Sequence, residues 1–185
     1  MYTLREQVGE APVNAALRRL LEKHRDSGPP YPTAHDLVAE LRAVTPDSLR
    51  YLLTDLFETV TLWDVQTDTA RVEPLPGGEF RVTLVVQGRK MRADSAGREV
   101  DVPMDDRVEI GVFAAGEGDG LGSPLYMQRH RIRSGTQTIS ITVPRAPARA
   151  GIDPRGKLID RDRGDNVVPV KLPASDPGRA GSVSP

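Results

Sequence analysis

Three kinds of side chain in this sequence could do chemistry: histidines, a run of aspartates and a stripe of arginines. The histidines are His24, His35 and His130. None stands three or four residues from another, so no H-E-x-x-H type zinc site can be built on one helix face. His24 falls near the end of an apolar-periodic stretch, where a cationic ring suits a helix C-terminus. His35 falls in the first turn of the next such stretch, and His130 alternates with Arg129 and Arg131 on an extended run. Each of the three reads as structural. Asp160, Asp162 and Asp165 crowd the segment DRDRGDN, which invites a calcium site. Calcium loops need oxygens at alternate positions, a turn glycine and a bidentate Glu. Here Arg161 and Arg163 interleave, Gly164 precedes Asp165 and no Glu follows, so a solvated, self-compensating charge run is the better reading. Arg129, Arg131 and Arg133 recur with period two, as a binding stripe for an anionic surface or a partner domain would. The plainer reading is a solvent-facing strand side whose charges discourage aggregation. No G-x-S-x-G precedes a helix, and GEGDGLG lacks the Lys-Ser/Thr of a phosphate-binding loop. No catalytic, cofactor-binding or metal position is assigned to any residue.

The totals exclude several function classes. The 25 basic and 26 acidic residues are intermingled and leave a net charge of −1. A nucleic-acid or anionic-membrane partner needs a concentrated basic surface, which this pattern does not supply. Zero cysteines exclude disulfides and thiolate metal sites. No apolar run approaches the ~20 residues that span a bilayer, and the N-terminus lacks the apolar core of a signal peptide. The expectation is a soluble chain without direct membrane insertion. Aromatic residues make up only 4% of the chain, low for a self-sufficient core, while 17 Gly and 16 Pro imply many turns.

The elements that must position these residues change character near Glu58. Residues 4–8 read as the end of a helix stopped by Gly9. Pro12 opens a second, whose apolar face is Val13, Ala16, Leu17, Leu20 and Leu21. Three prolines within residues 29–32 force a loop. Thr33 and Asp36 form a capping box for a third helix that buries Leu37, Val38, Leu41 and Val44. Thr45 as N-cap and Pro46 at the first position then start a fourth, with Leu49, Leu52, Leu53, Leu56 and Phe57 on one stripe. From Thr59 the period is two: a strand over 59–63, a hairpin of 69–75 and 79–86 about Pro76-Gly77-Gly78, and a second hairpin of 90–94 and 98–102. Residues 107–114 follow with Val108, Ile110 and Val112 inward, then a glycine-rich loop over 116–123. Residues 125–133 and 136–143 are joined at Ser134-Gly135. Residues 151–154 and 158–160 read as an extended segment on the surface, and 167–172 as an edge strand interrupted by Pro169. The expected architecture is α+β: short antiparallel helices over 1–58, an all-β sandwich of about seven strands over 59–172, and a disordered tail over 173–185.

Four blocks carry a family likeness: VGEAPVNAALRRLLEKHR, GPPYPTAHDLVAELRAVTPDSLRYLLTDLFETVTLWD, VPMDDRVEIGVF and ARAGIDPRGKLIDRDRGDN. Their succession resembles the C-terminal end of bacterial membrane alanine aminopeptidases of the gluzincin zinc-peptidase type. The subgroup it most resembles joins the peptidase to an ABC-2-type transporter permease. The likeness runs from about Tyr2 to Val170. It implies a parent family anchored in the bacterial inner membrane that hydrolyses peptide N-termini with zinc held by H-E-x-x-H and a distant glutamate. That motif is not in this sequence, and Tyr2 does not take the role of the family's catalytic tyrosine. The resemblance therefore implies a non-catalytic portion with no cofactor of its own, whose partner is the catalytic domain of the parent protein or a related protein surface. The alternative is a stand-alone β-sandwich interaction or scaffolding domain. An opening inside a helix, with one-sided apolar stripes, is what a truncated gene would produce.

Overall fold

The computed structural model of the chain describes residues 1–26, 28–118 and 120–172; the tail expected over 173–185 lies outside the described residues. Four helices are followed by eight strands in two four-stranded sheets, so the α+β architecture is present with eight strands rather than about seven. The chain divides into two compact units. One comprises Met1–Trp63, Lys90–Val102 and Lys157–Ile159; the other is built from Asp64–Arg89, Pro103–Gly156 and the described residues from Asp160 to 172.

In the first unit, α1 (Tyr2–Val8) and α2 (Glu10–His24) are separated by Gly9 alone, at φ 109°. That left-handed value suits a residue without Cβ, which lets the chain reverse between two helices. The Thr33–Asp36 capping box opens α3 (Ala34–Val44) as expected, the Thr33 amide donating to Asp36 Oδ2 at 2.8 Å. The core is Leu4, Val13, Ala16, Leu41, Leu52 and Leu53, all buried, with Leu17, Leu37, Val44 and Phe57 packed against it.

The fourth helix differs from its expectation. Thr45 does not open it; its hydroxyl donates to the Leu41 carbonyl at 2.8 Å and closes α3. That back-bond to the carbonyl four residues earlier is the competing use of a threonine hydroxyl. Pro46 is extended, and the chain then passes through a 3₁₀ turn (Asp47–Leu49), the single turn α4 (Tyr51–Leu53) and a π-turn (Thr54–Glu58). The π-turn ends where the Thr59 amide and hydroxyl both donate to the Thr54 carbonyl, at 3.0 and 2.9 Å. Its wider winding rotates the stripe, so Asp55 is buried while Leu56 and Phe57 are half-buried.

The strands are longer than their sequence signals. β1 (Val60–Pro74) and β2 (Phe80–Ala93) each run unbroken, and β3 (Glu99–Val102) pairs with the end of β2. In the second unit β6 (Gly135–Val143) pairs with β2 from Phe80 to Gly88, and the other sheet has the order β5 (Leu121–Arg133), β4 (Asp105–Ala115), β7 (Arg149–Ile152), β8 (Val167–Pro169). Val65, Val82, Leu84 and Val86 face inward from the first sheet, and Val108, Ile110, Val112, Ile132 and Ile152 from the second.

β4 is buried on both faces rather than alternating, because the turn after β7 covers its outer side. Pro154 lies over Gly111, and Arg155 forks onto Glu109 at 2.7 and 3.0 Å. Residues 151–154 are accordingly not a surface segment: Ile152 is fully buried and Asp153 nearly so. The expected edge strand over 167–172 is β8, shortened to Val167–Pro169, and the backbone around it has a further role. The Thr67 amide donates to the Asp165 carbonyl, the Val72 amide to that of Lys171, and the Lys171 amide to that of Ala70. This backbone covers the free edge of β1, a row of amides and carbonyls otherwise open to another chain.

Candidate functional site

The densest polar constellation is in the first unit, and sequence reading missed it. Asp55 is held in the π-turn with its side chain 1% exposed. Lys90 Nζ donates to its Oδ2, and Arg92 donates to its Oδ1 at 2.9 Å. Thr61 adds a long contact at 3.5 Å. Lys90 is itself buried, its ammonium 5.3 Å from the Trp63 ring centre and 5.5 Å from that of Tyr51. A buried lysine is thus flanked by a carboxylate and two aromatic faces, which replace part of its hydration. Lys90 and Arg92 share one face of β2 because their spacing is two. That face is apolar at Val82, Leu84 and Val86 and turns cationic two residues after Gly88.

This arrangement is a closed ion-pair clamp. Both Asp55 oxygens are engaged by cations, and its carboxylate is sealed from solvent. A general base must be open to a substrate proton, whereas the Asp55 carboxylate is 1% exposed and held by two cations. Arg92, the more exposed partner, lines a shallow surface depression with Glu58, Thr59, Val60, Ser95 and Val100. A second depression is lined by His35, Arg42, Arg50 and Glu58. Glu58 pairs with Arg42 and accepts from Thr54 at 2.8 Å.

The candidates read from sequence are not brought together. His24 ends α2, where it helps lower the Asp36 carboxyl, chiefly depressed by the Thr33 amide and hydroxyl. His35 is in the first turn of α3, and His130 is on β5 in the other unit. His130 Nε2 and the Tyr126 hydroxyl are 2.7 Å apart. Burial lowers the pKa of His130 and raises that of Tyr126. Among the described residues no three His, Asp or Glu side chains are grouped closely enough to hold a metal ion. The arginine stripe is largely compensated: Arg131 forks onto Asp105, Arg133 is 3.8 Å from the same carboxylate, and Arg129 lies opposite Glu109.

The acidic run organises its own loop. Asp160 accepts from the Val65 amide at 3.4 Å and the Asp162 amide at 3.2 Å, and Asp162 accepts from the Gly164 amide at 3.0 Å. These spacings are turn geometry. Burial raises the Asp165 pKa, and the carboxylates of Asp162, Asp160 and Asp64 push it further up. A carboxyl raised on folding resists ionisation in the folded state. Its contribution therefore falls as pH rises from below about 4, where both states are protonated, through the folded value. Asp165→Asn removes that loss, so the variant is expected to be more stable than the parent at pH 7 and to converge with it near pH 3. Urea midpoints across that range would show it, and a gap that persists at pH 3 would contradict it.

No family model, curated protein or solved structure matches the chain. No helix of the described residues is long and apolar enough to cross a membrane.

Proposed function

We propose that this chain is the non-catalytic C-terminal portion of a zinc aminopeptidase-type protein, its helical unit bearing against a catalytic domain. The carrying observation is the ordered succession of four sequence blocks that resemble that family's C-terminal region. Two further features support the reading. The densest polar cluster among the described residues is a closed clamp at Asp55 rather than an open site with a base. The helical unit also leaves large side chains uncovered: Leu21 of α2, on the predicted stripe, is 71% exposed, and Tyr2 of α1 and Tyr31 of the proline loop are similarly bare. A contact with another protein would cover such side chains if they form one contiguous patch.

The test has two arms. The purified chain with added zinc and an alanyl chromogenic substrate is expected to show no metal-dependent turnover; measurable turnover would overturn the reading. Mixed with an isolated zinc-bearing catalytic domain of that peptidase type, it is expected to form a complex that Leu21→Glu weakens about tenfold or more. A second reading, a free-standing β-sandwich interaction module, is favoured by the second unit having its own buried core and a covered β1 edge. Failure to bind the catalytic domain, with no turnover, would favour it.

A further inference from the structure

The strand edges of the two sheets are defended unequally. The β1 edge is covered by residues 159–171. β8 is three residues long and ends in Pro169. β5 carries Pro124 together with Arg129, Arg131 and Arg133, and its register against β4 is broken by irregularities. β3 has four residues, two of them acidic. Each of these is a device that discourages pairing with another chain. β6 has none. Its sequence GTQTISITV contains no charge and no proline, and its nine-residue ladder with β2 is unbroken. Among the described residues it has β2 as its one ladder partner, and no other backbone hydrogen bond reaches residues 136–142.

The strand also nearly matches its own reverse. Turned antiparallel about Ile139, it sets Thr136 opposite Thr142, Gln137 opposite Ile141, Thr138 opposite Ser140, and Ile139 opposite itself. The face bearing Thr136, Thr138, Ser140 and Thr142 is exposed throughout. Threonine–threonine and threonine–serine neighbours across a strand pair stabilise it, and no like charges oppose one another. On the other face, Ile141 and Val143 are buried while Ile139 and Gln137 are only half-buried. A strand laid alongside would finish covering Ile139.

We infer that β6 is a self-pairing edge: two copies of the chain join β6 to β6 about a two-fold axis at Ile139, making one continuous antiparallel sheet. A second copy is the occupant because the edge complements itself in charge, direction and side-chain size, as a two-fold contact requires. The inference stands on the second unit alone and does not depend on the peptidase-type reading.

Sedimentation equilibrium of the full chain is expected to give a concentration-dependent mass reaching twice the monomer. The double variant Thr138→Lys with Ser140→Lys sets lysine against lysine at two places on an exposed face, and is expected to raise the dimer Kd about tenfold or more. Circular dichroism would verify that it still folds. An independent measurement uses the absence of native cysteine. With dissolved oxygen and copper–phenanthroline, Ile139→Cys is expected to cross-link two copies on the axis, whereas Thr83→Cys, one strand removed, is not. A parent chain that stays monomeric, a folded lysine variant that dimerises undiminished, or equal cross-linking of the two cysteine variants would overturn the inference.

Discussion

Asp55→Ala is expected to cost about 3–5 kcal/mol of unfolding free energy, because it strands the Lys90 ammonium in a buried site without its counter-ion. Lys90 is 4% exposed and cannot swing into water without leaving its place between Trp63 and Tyr51. Arg92 is expected to matter less, since its side chain is 40% exposed and can rehydrate. The informative experiment is a double-mutant cycle by urea denaturation with Asp55→Leu, Lys90→Met and the pair combined. If the clamp behaves as an ion pair in a low-dielectric site, the double variant is more stable than either single one. Additive losses would show that each residue acts through packing alone.

Gly151→Val is the second large effect, expected to cost about 3 kcal/mol or more, at the upper end of what overpacking does. A Cβ at Gly151 would lie 2.0 Å from the Asn166 carbonyl oxygen and 2.7 Å from the Val167 Cα. Both obstructions are backbone, so no rotamer change relieves them, and β8 must separate from β7. Gly28→Ala is the matched control, because a Cβ there meets nothing within 4 Å. It is expected to change stability by under about 0.5 kcal/mol. Equal losses in the two variants would mean that the close approach of β7 and β8 is not what the glycine serves.

Local patterns carried much of this fold. Gly9, the Thr33–Asp36 box, the turn at Gly77-Gly78 and the alternation of 79–86 each act through neighbours in sequence, so their chemistry was readable without tertiary contacts. The misreadings share a different cause. Thr45 has two uses for one hydroxyl, and the choice of the Leu41 carbonyl depends on where α3 stops. Residues 151–154 read as an extended surface segment, yet Ile152 and Asp153 are buried because β4 takes a partner strand that only the folded sheet provides. Asp55 was hidden for a related reason. In sequence it stands with Thr54 between Leu53 and Leu56, off the predicted stripe, and its partners Lys90 and Arg92 lie 35 and 37 residues away. The usable signal was on β2, where the inward phase passes from valine and leucine to lysine and arginine. A cation at a core position asks for an anion elsewhere at a core position, and Asp55 was available.

The backbone that seals β1 has a consequence for timing. Thr67 waits for Asn166, 99 positions later, and Val65 for Asp160, 95 positions later. During synthesis β1 precedes the segment that covers it, so its edge stays open on that side until about a hundred further residues have left the ribosome. Contacts of such long sequence separation slow folding through the entropy of closing the intervening loop. For that interval the nascent chain carries a bare strand edge, a template for pairing with other chains, which the folded form covers with residues 159–171.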